Sequence, residues 1–137
     1  MNLTLTKEIV VVAAFIVILA IIAALLRRRP QTLNPEYFKQ KWVVLQKQCA
    51  DKKTWTLAVI DADKLLDEAL KKRHYKGKSM GERLAAAQHD ITNNDSVWFG
   101  HKLRNRLVHE QNVKLSQRAV KDALMGIRKA LKDLQAL

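Results

Sequence analysis

The sequence predicts an all-α protein: one N-terminal transmembrane helix followed by an antiparallel four-helix bundle. Three observations carry this. Ile9 to Leu26 run for 18 positions without a charged or polar side chain. Apolar residues then recur at spacings of three and four along the rest of the chain, the signature of helices with one buried face. With four glycines, two prolines and 48% hydrophobic residues in 137, nothing reads as a strand, and no repeat or low-complexity tract is present.

The first element, within residues 1–29, reads as a membrane anchor. At about 1.5 Å per residue, 18 residues span roughly 27 Å, close to the hydrocarbon thickness of a bilayer. A cleaved signal peptide is the rival, but its apolar core is shorter, and RRRP follows the run in place of a small-residue cleavage site. Lys7 and Glu8 precede the span, whereas Arg27, Arg28 and Arg29 follow it, so the positive-inside rule places the N-terminus outside and the remainder in the cytoplasm. A single cysteine, Cys49, suits a reducing compartment.

Residues 30–34 form a short connector, and residues 35–137 the cytoplasmic bundle. Asn34 and Pro35 make an N-cap and first-turn pair for a helix carrying Phe38, Trp42, Leu45 and Cys49 on one stripe and ending near Asp51. The next helix runs from about Lys53 to His74, with Trp55, Ala58, Val59, Ala62, Leu65, Leu66, Ala69 and Leu70 on one face. Asp61 and Asp63 fall at the edges of that face. Edge carboxylates ordinarily pair with neighbouring Lys or Arg; the sharper alternative is that Asp63 orients a basic residue of a functional site. The GKS that follows resembles the tail of a phosphate-binding loop, but Lys72 stands where that loop needs its first glycine and no strand precedes it. Ser79 with Glu82 instead reads as a capping box for a short helix from Met80 to about Asp90. Asp95 or Ser96 caps the helix containing HKLRNRLVHE (101–110), and a last helix from Ser116 buries Val120, Ala123, Leu124, Ile127, Leu131 and Leu134.

The chain carries 25 Lys and Arg against 13 Asp and Glu, a net charge of +12. Residues 30–137 keep 21 of the basic and 12 of the acidic side chains, an excess of nine. Such a surface suits an anionic partner, either RNA or nucleotide, or the anionic lipid of the inner leaflet.

The helix containing residues 101–110 has two faces on a wheel. Val97, Phe99, Leu103, Leu107 and Val108 form an apolar arc expected to pack on the bundle. Opposite them, Trp98, His101, Lys102, Asn105 and His109 align at spacings of three and four. An exposed Trp beside two histidines and an amide predicts a surface that meets either a second copy of the chain or a ligand, with Arg106 adding charge. Arg104 lies off this row, roughly 140° from His109, so a bend or a symmetric dimer is needed to bring the two together.

Arg104, Asn105 and His109, spaced as RN, three residues, then H, match the arginine-to-histidine motif of HEPN (higher eukaryote and prokaryote nucleotide-binding) domains, and residues 34–137 resemble that family. The resemblance implies an all-helical bundle with the motif on a late helix, and a metal-independent endoribonuclease whose composite site forms in a homodimer. Other members bind nucleotides or proteins. It assigns His109 to proton transfer with the RNA 2'-hydroxyl, Arg104 to stabilising the phosphate charge, and Asn105 to positioning. The blocks WTLAVIDADKLLD, MGERL and HKLRNRLVHE also resemble those of uncharacterised single-pass membrane proteins from bacteria with reduced genomes, which implies the anchor-plus-bundle arrangement but no activity.

The chemistry needs no cofactor. An imidazole with an ordinary pKa of about 6.5 exchanges protons near neutrality, worth about 10² to 10⁴ in rate, and a guanidinium binds phosphate through paired hydrogen bonds. No metal site is expected, because His101, His109 and Glu110 do not form HExxH and Cys49 has no partner thiol. The competing account is structural: His109 favoured by the helix dipole, Arg104 and Arg106 paired with Glu110 or Asp122, and Asn105 simply exposed. The chain would then be a tethered, non-enzymatic scaffold with a basic lipid-facing surface.

Overall fold

The computed structural model describes residues 3–27 and 31–137. Arg28 and Arg29, two of the three arginines on which the orientation rests, and Pro30, the first residue of the connector, lie outside the described residues. The chain divides into two units, residues 1–30 and 31–137. All regular structure among the described residues is helical.

Helix α1 spans Leu3–Arg27. Within it, Thr6–Leu26 is long and apolar enough to cross a membrane, with a mean hydropathy of 3.5 over its most apolar window. At about 1.5 Å per residue its 21 residues extend about 32 Å. Apolar side chains point in every direction and none is buried, from Ile9 at 61% exposed to Leu26 at 53%.

The second unit contains five α-helices, four long ones and the short one that the sequence predicts from Met80: α2 (Pro35–Gln48), α3 (Trp55–Lys72), α4 (Met80–Ala86), α5 (Asn94–His109) and α6 (Gln117–Asp133). The short α4 is additional to four long helices. Helix α2 starts as expected, the Asn34 carboxamide oxygen accepting from the Glu36 and Tyr37 N–H groups. It ends at Gln48, three residues before Asp51, because Asp51 instead caps a single 3-10 turn over Lys52–Thr54. The Trp55 indole N–H, bonded to the Cys49 carbonyl at 2.9 Å, ties that turn together.

Helix α3 is the central element, in contact with α2, α4, α5 and α6. Its apolar face is buried as the spacing predicts, and Asp63, 2% exposed, is buried with it. It stops at Lys72, and His74 adopts a left-handed backbone in the turn that follows. The Ser79 hydroxyl caps α4 by accepting from the Glu82 N–H, while the Glu82 carboxylate accepts from the Lys78 N–H rather than that of Ser79. Helix α5 begins before the expected caps, because the Asn93 side chain takes the Ser96 N–H. Ser116 caps α6 through the Ala119 N–H.

Helices α5 and α6 pack most closely of all, and two glycines permit it. A Cβ at Gly100 would lie 3.0 Å from the Ala123 carbonyl, and one at Gly126 only 2.3 Å from the Ser96 carbonyl. This approach sets how α5 is rotated against the rest of the bundle. Val97 and Leu103 point inward as expected, but Phe99 (43% exposed) and Val108 (47%) face solvent, contrary to the predicted apolar arc. The side of α5 expected to be a polar outer row is in part its inner side.

Candidate functional site

The rotation of α5 turns His101 into the interior, where it is 7% exposed beside Asp63 of α3. Helical geometry then explains the cluster around it. Arg104 and Asn105 stand three and four residues beyond His101, one turn on along the same side, so both return to it.

The hydrogen bonds form a closed circuit whose proton positions follow from donor chemistry. Arg104 can only donate, and its Nη1 lies 3.0 Å from the Asn105 Oδ1, which therefore accepts. That fixes the amide orientation and turns Asn105 Nδ2 to His101 Nε2 at 3.2 Å. The amide nitrogen donates, so Nε2 accepts and the imidazole proton sits on Nδ1, donating to Asp63 Oδ1 at 3.0 Å. Asp63 Oδ2 closes the loop at 3.6 Å from Arg104 Nε, an ion pair without a hydrogen bond; that buried Nε has no acceptor. Trp98 lies edge-on to the imidazole, ring centroids 5.7 Å apart, and Gly81 of α4 covers the other approach.

The predicted outer row therefore divides. Trp98 is half-buried against the core rather than exposed, His101 is buried and Asn105 half-buried, because Asp63 supplies a buried acceptor toward which this side turns. Lys102, Arg106 and His109 are exposed, with Phe99 on the same outer stripe. Arg106 pairs with Glu110 at 3.2 Å. His109, in the last turn of α5, makes no hydrogen bond or ion pair among the described residues. Arg104 and Asn105 are thus brought together with Asp63 and His101, and His109 is not. The Arg104 side chain remains 27% exposed, although its Nε is buried.

Asp63 is the member most easily overlooked in the sequence, although its place at the edge of the α3 apolar face was the available signal. One turn further along the same side of α3, Asp67 repeats the device. It receives both Arg83 Nε (2.7 Å) and Nη2 (3.0 Å) from α4, while Arg83 Nη1 donates to the Gly77 carbonyl. Burial alone would raise the Asp67 pKa, but the bonds from Arg83 and Lys71 outweigh it and hold the carboxyl below its usual value. Asp61, by contrast, meets Lys64 and Gln48 near the surface, the ordinary fate of an edge carboxylate.

Compared with known proteins, the chain matches no family model, no curated protein and no solved structure. Chemical roles must therefore come from these side chains. His101 is walled in and its Nε2 is occupied, which makes it a positioning group. His109 is the accessible imidazole of α5, and Arg104 a cation held by the circuit and partly exposed. Burial raises the pKa of Cys49, whose Sγ donates to the Leu45 carbonyl, so it is a poor nucleophile. No group of three or more His, Cys, Asp or Glu suited to a metal occurs among the described residues.

Proposed function

We propose that the chain is a membrane-anchored, cytoplasm-facing HEPN-like bundle of four long antiparallel helices, acting as a homodimer that binds RNA or nucleotide and cleaves RNA without a metal. One observation carries this: the Asp63–His101–Asn105 circuit holds Arg104, whose side chain is still 27% exposed, while His109 stands exposed and unengaged at the end of the same helix. In this reading Arg104 neutralises the scissile phosphate, Asn105 keeps the guanidinium oriented, and His109 takes the proton of the 2'-hydroxyl. No hydrogen bond or ion pair joins His109 to the circuit, so the complete site pairs Arg104 of one protomer with the partner's imidazole across a two-fold axis. Lys102 and Arg106 extend the positive surface on the same outer side.

The test uses the full chain in detergent micelles with single-stranded RNA and EDTA. Cutting is expected, with Arg104→Ala and His109→Ala each abolishing it while circular dichroism stays unchanged. An equimolar mixture of the two variants should recover part of the activity if the site is shared between protomers. RNA left intact by the parent, or cut equally by both variants, would replace this reading with the tethered scaffold.

A further inference from the structure

A second feature lies on another side of the domain. Helices α2 and α6 and Trp55 enclose a cavity of about 470 Å³ whose walls include Trp42, Trp55, Met125, Lys121 and Arg128. Its size falls among pockets that admit a small molecule or a single base. Three properties indicate what it takes.

The rim is cationic and unneutralised: neither Lys121 nor Arg128 has an acidic partner among the described residues, and both are exposed. Seven residues apart on α6, they lie on one side of the helix, about 10 Å from each other along its axis. The interior offers apolar and aromatic surface, with Met125 59% exposed between the two cations. Trp42, only 6% exposed, forms part of the wall, its indole N–H buried and without an acceptor. Cations that follow a backbone, flanking an apolar and aromatic recess, suit single-stranded nucleic acid, whose bases insert while phosphates stay outside. A bilayer is a poorer fit, since a planar surface meets only the rim of a concave groove.

We propose that this groove binds single-stranded RNA, seating one base against Trp55 and Met125 with flanking phosphates on Lys121 and Arg128. The inference rests on the RNA reading of the chain and adds a binding track separate from the Arg104 site.

The experiment measures binding of a short fluorescent 2'-O-methyl RNA strand to the full chain in neutral detergent micelles as salt is varied. Because this strand lacks the free 2'-hydroxyl, binding is read apart from cleavage. For single strands, the slope of log affinity against log salt changes by about 0.7 per phosphate contact. Lys121→Gln with Arg128→Gln should therefore flatten the slope by about 1.4, so that going from about 50 to about 200 mM salt costs the parent about sevenfold more affinity than the variant. Lys76→Gln with Lys78→Gln removes the same charge from an exposed loop and should leave the slope unchanged. Equal effects of the two pairs would overturn the groove assignment even if the parent cuts RNA. So would binding of short-chain phosphatidylserine, but not RNA, through Lys121 and Arg128. Loss of cutting with the salt effect intact would instead remove the catalytic reading alone.

Discussion

Replacing Asp63 by alanine tests the circuit most directly. The carboxylate is 3% exposed and is the acceptor of the His101 Nδ1–H and the counter-charge of Arg104. Its removal orphans a buried imidazole donor, at about 1 to 3 kcal/mol, and strips a partly buried guanidinium of its anion. Removing one partner of a buried pair costs about 3 to 5 kcal/mol. With 27% of its side chain exposed, Arg104 has room to shift toward water, so the lower end applies, about 3 kcal/mol. For a domain of about a hundred residues, that is a fall of about 12 to 15 °C in Tm. All three tryptophans, Trp42, Trp55 and Trp98, lie in the second unit, so their fluorescence follows its unfolding without interference from α1. Coupling is the sharper measure. In Asp63→Ala with His101→Phe the orphaned donor disappears, and the double variant should be more stable than the summed single losses imply by about 1 to 2 kcal/mol. A loss below about 0.5 kcal/mol for Asp63→Ala, or strict additivity with His101→Phe, would refute the circuit.

Gly126→Ala should cost about 1 to 3 kcal/mol or more, seen as a lowered Tm, because the new methyl meets the Ser96 carbonyl at 2.3 Å; Gly81→Ala, meeting His101 Nε2 at 3.4 Å and the Trp98 ring at 3.9 Å, should fold normally. Tyr75, whose hydroxyl donates to Asp90, is pushed up to about 12 by burial and by that carboxylate. A raised folded-state pKa means its contribution is intact below pH 10 and lost as the pH climbs through 12, so tyrosinate absorbance should lag an ordinary tyrosine and Tyr75→Phe should remove the late phase. Half-ionisation of both tyrosines near pH 10 would contradict this. Asp67 shifts oppositely: its contribution is full above the ordinary value of 3.8 and is lost as the pH falls through the depressed one. Arg83→Met should accordingly move acid unfolding to higher pH, and an unchanged midpoint would show that the α3–α4 ion pair contributes nothing.

Much of the fold was legible because it depends on local patterns. The buried stripes of α2, α3 and α6 follow from apolar spacing, and Asn34, Ser79 and Ser116 marked helix starts because a side-chain oxygen beside an exposed N–H is a local arrangement. The failures occurred where a local rule met a competitor elsewhere. Asp51 looked like the end of α2 but caps the next turn, and Asp95 and Ser96 were good caps displaced by Asn93.

The sequence by itself determined that an uncharged 18-residue run forms a helix needing an apolar environment, that helices follow, and that Arg104, Asn105 and His109 share one of them. A helical wheel gives relative angles within α5 but no absolute rotation. Only the tertiary structure decided that rotation, through the close approach of α5 and α6 at Gly100 and Gly126 and the buried carboxylate of Asp63 on α3. The physical reason is that one buried charge seeks partners 38 or more residues away in sequence. It draws His101 and Arg104 inward and leaves His109 in solvent.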